Sequence, residues 1–122
     1  MKRGQTLIFL LIFMAISVTI TSAAVIVIIL NSHASSKFAQ GLEAYDIAES
    51  GAENALMRLL RDTSYTGETL TIGTGTATIT LTGSNPYTIT SQGTAGNFIR
   101  QVQVIATFTS GVMGVTSWKE IF

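Results

Sequence analysis

Cysteine is absent from the 122 residues, so neither a disulfide nor a thiolate metal site can hold the fold together. Packing must do that alone. There is a single histidine, His33, whereas a catalytic or metal centre needs several groups with matched roles, so neither catalysis, a metal nor a cofactor is expected. Proline occurs once, at Pro86, which leaves the first half of the chain free of helix breakers. Charge is scarce too, at 11% of the residues against about 25% in an ordinary domain. Seven basic residues balance seven acidic ones, which argues against nucleic acid as the main partner.

What the chain has in abundance is apolar sequence, 47% of the total, much of it in one uncharged run over residues 7–30. At ~1.5 Å per residue this run makes a helix of about 36 Å, enough to cross a ~30 Å hydrocarbon layer. Lys2 and Arg3 precede the run, and Lys37 is the first unambiguous charge after it. Basic residues prefer the cytoplasm, so the C-terminal portion is expected outside. Three readings of the run compete. A secretory signal is discarded and has an apolar centre of about 7 to 15 residues; this run is too long, although Ser32-His33-Ala34 offers small residues for cleavage. A plain single-pass anchor, presenting a binding domain that never polymerises, is the second. In the third, a peptidase cuts after Gly4 on the cytoplasmic side and the apolar helix remains as the start of a mature chain beginning at Gln5. Loss of residues 1–4 would leave five basic residues against seven acidic.

Beyond residue 30 the chain turns polar, then Phe38, Leu42, Tyr45, Ala48, Ala52, Leu56 and Leu59 recur at steps of three and four. That spacing predicts the apolar stripe of an amphipathic helix. Arg58 and Arg61 suit its last turns, where positive charge meets the negative end of the helix dipole, and the helix is expected to end near Asp62. Ser35, Ser36 and Gly41 mark where it can bend. Within the apolar half, Ser17, Thr19, Thr21 and Ser22 either let neighbouring helices approach closely or return their hydroxyls to their own helix. Gly51 costs about 1 kcal/mol relative to alanine in a helix, which close packing on a sheet would offset.

From Thr69 the period changes to two. Leu70 and Ile72, then Ala77, Ile79 and Leu81, then Tyr87 and Ile89 alternate with threonine, the pattern of strands buried on one face. Residues 98–108 read as the strongest strand, with Phe98, Val102, Val104, Ala106 and Phe108 inward and Arg100 the exception; residues 115–121 form the last. Turns are expected at residues 73–75, 83–86, 93–97 and 110–114. The fold class is therefore α+β, a long N-terminal helix packed on a small antiparallel β-meander. About sixty β-rich residues are marginal alone, so the helix must cover one side of the sheet. Gly73-Thr74-Gly75 lacks the helix and further glycines of a phosphate loop.

Candidate interaction residues are few. His33 falls where a helix would leave a membrane and reads as an interfacial polar residue. Asp46, Glu49 and Glu53 can share one side of the helix; a bound cation is the least favoured reading, and solvated surface and pairing with a neighbouring subunit compete ahead of it, with Arg58, Arg61 or Arg100 as the basic partners. Arg100 and Trp118 are expected to be local packing residues.

Two separated segments then agree, Lys2-Arg3-Gly4-Gln5-Thr6-Leu7-Ile8 and the Ile47-Ala48-Glu49-Ser50-Gly51-Ala52-Glu53 block with its continuation to Leu59. Together they resemble type IV pilin-like proteins, especially the minor-pilin and pseudopilin group, over about half of the chain. The resemblance implies a membrane precursor in which residues 1–4 are a leader, 5–30 a transmembrane and filament-core helix, 31–62 its amphipathic continuation and 63–122 the β domain. It further implies cleavage after Gly4 by a prepilin peptidase, methylation of the Gln5 amine, and polymerisation with other pilin subunits through Leu7, Ile8 and Phe9, with Glu49 and Glu53 as further assembly contacts. Major subunits of the family carry Glu at the fifth mature position. Phe9 stands there in this chain and sets it apart from them.

Overall fold

A computed structural model describes residues 2–122. Helix α1 spans Lys2–Arg61, 60 residues, with Ser35, Ser36 and Gly41 inside its bounds. It ends one residue before the expected position, with Asp62 closing the last turn. The Asp62 amide donates to the Arg58 carbonyl at 2.9 Å, and its carboxylate accepts from the Ser64 amide at 2.9 Å and the Ser64 hydroxyl at 2.5 Å. These two bonds hold the Asp62 carboxyl below its usual range.

Five strands follow, β1 (Thr69–Ile72), β2 (Gly75–Thr82), β3 (Tyr87–Ala95), β4 (Phe98–Thr109) and β5 (Val112–Ile121). They pair antiparallel in chain order, β1-β2-β3-β4-β5, the meander that threonine alternation implies. Three of the turns are shorter than expected, the first because Gly75 of β2 already pairs with Ile72, leaving Gly73 and Thr74. Residues 93–95 belong to β3 because Gly93 and Ala95 face the core, leaving only Gly96 and Asn97 to turn. Val112 and Met113 pair with Thr109 and Phe108, so Ser110 and Gly111 alone link β4 to β5. Both have positive φ, 53° and 79°, which suits the right-handed twist of a two-residue hairpin.

The compact unit spans Phe38–Phe122 and includes the later turns of α1. Its core joins Ala48, Ala52, Ala55 and Leu59 of α1 to Ile79, Ile89, Val102 and Val104 of the sheet. A second cluster sets Ala44 and Ile47 against Ala77 and Ala95. This corrects the expected stripe. Ala48, Ala52 and Leu59 are buried as expected, but Phe38 and Leu42 are 71% and 48% exposed, while Tyr45 and Leu56 sit half-buried at the rim. Gly41, Ala44, Gly51 and Ala55 take the buried places instead.

The reason is proximity. A Cβ on Gly51 would lie 2.8 Å from the Ala77 Cβ and collide with the Ser91 hydroxyl. From the other side, a Cβ on Gly93 would meet the Ala44 carbonyl and come within 2.5 Å of the Ala48 amide nitrogen. At Gly51 and Gly93 helix and sheet thus approach so closely that only small residues fit, while Ile47 and Leu59 of α1 pack into the core beside these points. Gly51 is offset in the way the close-packing reading requires.

Ser91 is fully buried in this seam, and its Oγ has no hydrogen-bond partner among the described residues. A buried hydroxyl without a partner costs about 1–3 kcal/mol. Ser91→Ala is therefore expected to stabilise the fold by about 1 kcal/mol, read as a higher urea midpoint with an unchanged slope. A lower midpoint would show that the hydroxyl is doing something favourable in the seam.

The segment between α1 and β1 is clipped by one carboxylate. Glu68 accepts from the Tyr65 hydroxyl at 3.0 Å and pairs with Arg58 Nε at 3.0 Å, tying the end of the helix to the sheet. Burial and then the Glu68 carboxylate push the Tyr65 phenol up to about 12. Because the folded value lies above the unfolded one, the stability linked to Tyr65 is complete below pH ~10 and is lost as pH rises towards 12. The tyrosinate absorbance difference between the native chain and Tyr65→Phe is expected to titrate near pH 12, and Glu68→Gln to move that component towards ~10. A Tyr65 component already complete near pH 10 would remove the clip.

Candidate functional site

Gly4 and Gln5 lie in the first turns of α1, both exposed, and a side chain at Gly4 would meet nothing within 4 Å. Leu7, Ile8 and Phe9 follow directly and are exposed as well. Every large apolar side chain over residues 7–30 is between 50% and 72% exposed. The segment is long and apolar enough to cross a membrane. Left in water, each large side chain would forfeit ~1.5 to 3 kcal/mol, so the segment requires lipid or protein around it.

Its hydroxyls add no polar burden. The side chains of Thr6, Ser17, Thr19, Thr21 and Ser22 donate to carbonyls three or four residues earlier, at 2.7–2.9 Å, with a second Thr21 contact at 3.1 Å. Of the two sequence readings, the internal one accounts for these groups. A helix whose hydroxyls are satisfied in this way can enter hydrocarbon without stranding a donor.

Glu49 is half-buried and Glu53 exposed, one turn apart. Glu53 shares a shallow outward surface with Ser50, Asn54, Met57, Arg58 and Arg61. Among the described residues, no three acidic or histidine side chains converge on a point. The basic residues considered as partners for the acids divide clearly. Arg58 is engaged by Glu68 of its own chain, and Arg100 by Glu120 on β5. Arg61 has no ion pair among the described residues.

Arg100 and Trp118 follow the packing reading. Arg100 stands on the helix-facing side of β4, its guanidinium 5.8 Å from the centre of the Tyr45 ring while it holds Glu120. That bond keeps the Glu120 carboxyl below its usual range, and Glu120 in turn raises Arg100. Trp118 lies directly across from buried Val104 but stays 36% exposed at the sheet edge. The Arg58–Glu68–Tyr65 clip and the Arg100–Glu120–Tyr45 cluster were not visible in sequence, since each joins residues far apart in the chain or across a loop of unknown path. His33 is exposed on α1. Comparison with protein-family models, curated proteins and solved structures returned no match.

Proposed function

We propose that this chain is a structural pilin-like subunit, made as a membrane precursor with its N-terminus inside and its C-terminus outside. It is cut after Gly4 by a prepilin peptidase and assembled with other subunits through its N-terminal helix. One observation carries the reading: a single helix bears an exposed, internally satisfied apolar half and continues into turns that hold a sheet by close packing. An apolar half that survives maturation exchanges lipid for neighbouring helices, and the β domain is displayed outward. In that arrangement Leu7, Ile8 and Phe9 contact sister helices, while Glu49 and Glu53 face the bases of neighbours.

The intact mass of the protein from the native cell tests the processing step. A chain beginning at Gln5, with or without an N-methyl group, is the expected result; retention of residues 1–4 would instead make it a single-pass anchor that does not polymerise. The acidic pair has its own test. Glu53→Lys places like charge opposite a neighbour's Arg61 and is expected to lower filament yield severalfold without altering membrane insertion. Normal yield from that variant would remove Glu53 from the contact.

A further inference from the structure

The side of the sheet turned away from α1 carries an unusual surface. On β1, β2 and β3 every outward position is threonine except Gln92. The register stacks these residues across strands, with Thr69 opposite Thr78, Thr80 opposite Thr90 and Thr82 opposite Thr88. On β4 the outward row continues through Ile99, Gln101, Gln103 and Ile105. Lys119, on edge strand β5, is the only charged residue at an outward position of the five strands. A face meant only for solvent ordinarily mixes charges of both signs.

We propose that this threonine face is a homotypic contact, covered by the same face of a second copy of the chain. Charge decides the occupant. In a two-fold contact, residues near the axis meet themselves, so any charge there would oppose its own copy. A face without central charge avoids that cost and needs no fixed donor direction, because each hydroxyl both donates and accepts. A foreign partner draws specificity and encounter rate from complementary charge, and this face offers none. With strands ~4.8 Å apart and ~3.4 Å per residue, the face covers roughly 500 Å². A standard interface takes about 800 Å² from each partner, so the contact is a weak one that acts where copies are already concentrated on a shared membrane or filament. The contact goes beyond the proposed subunit role and stands whether the apolar helix is an anchor or a filament core.

The absence of cysteine makes the test clean, because each introduced thiol is the only one present. The full chain carrying Thr90→Cys is reconstituted in lipid vesicles beside Thr66→Cys, which places the thiol on the exposed loop between α1 and β1, outside both proposed contacts. Mild oxidation is expected to give disulfide-linked dimers of Thr90→Cys about tenfold faster than of Thr66→Cys, reflecting the raised local concentration at a docked face. Adding Thr80→Lys should return the rate to the Thr66→Cys level, while circular dichroism shows the sheet intact. Gln92→Cys serves as the second site if Thr90→Cys folds poorly. Equal rates for the face and loop thiols, or indifference to Thr80→Lys, would overturn the proposal; both are also what a solvated face or a face for another protein would give.

Discussion

Gly93→Ala is expected to lower the stability of the domain by about 3 kcal/mol or more, an unusually large effect for one added methyl group. The new Cβ would fall within 2.5 Å of the Ala48 nitrogen and 3.0 Å of its Cα, and would collide with the Ala44 carbonyl. These are backbone atoms of α1. No rotamer change can make room, so the helix must lift from the sheet and loosen the core around Ala48, Ile79 and Val102. For a domain of 60–100 residues, each kcal/mol moves the melting temperature by about 4–8 °C, which predicts a fall of about 12 °C or more. Gly114→Ala is the control. It makes the same chemical change within β5, where the nearest atom is the Thr107 hydroxyl at 3.4 Å, on a side chain that can turn away. That variant should be neutral or slightly stabilising, since glycine weakens a strand by roughly 0.5–1 kcal/mol. Equal melting temperatures for the two variants would show that helix and sheet do not approach as closely as described.

Under the proposed processing, Gly4→Leu is expected to change cleavage from essentially complete to none, leaving an uncut precursor in the membrane. Nothing in the fold should suffer, because Gly4 is exposed and a side chain there has open space around it. Insertion should not suffer either, since leucine is favourable in a membrane-spanning segment. Loss of cleavage can then be assigned to the peptidase, whose site must admit the residue before the cut. Intact mass reads the result directly, as presence or absence of residues 1–4. Cleavage of Gly4→Leu at the native rate would count against prepilin-type processing, and filament formation by an uncut chain would separate assembly from processing altogether.

Much of this architecture can be read from residue order because the signals are local. Absence of proline before Pro86 and the recurrence of apolar residues from Phe38 to Leu59 are enough to predict a helix ending near Asp62, one residue from its observed end at Arg61. Threonine alternating with Leu70, Ala77, Ile79 and Ile89 is enough for strands in meander order. What could not be read is distance between layers. Amphipathic reasoning ranks residues by apolarity and so selects Phe38 and Leu42, which are exposed, whereas the close approach at Gly51 and opposite Ala44 and Ala48 admits only small residues. Gly93 was placed in a turn for the same reason. A glycine inside an alternating run can also mark close backbone approach, and the neighbouring Ser91 and Ala95, both small, were the available clue. For the candidate site, the exposed apolar helix was legible in composition alone. The engagement of Arg58 and Arg100 within the chain was not, because Glu68 and Glu120 reach them only through the tertiary fold.

Gly51 of α1 also governs what happens when the helix is pulled along its axis. A slip of one turn, ~5.4 Å, would bring Ala48 or Ala52 to neighbouring alanine places with little resistance. The same slip would drive Ala55 into the place of Gly51 in one direction, or Ile47 in the other, and the Gly51 notch against Ala77 and Ser91 has no room for a side chain. Gly51 therefore acts as a detent that forbids ratcheting. Under tension the domain should hold its register until it gives way as a whole, rather than creep.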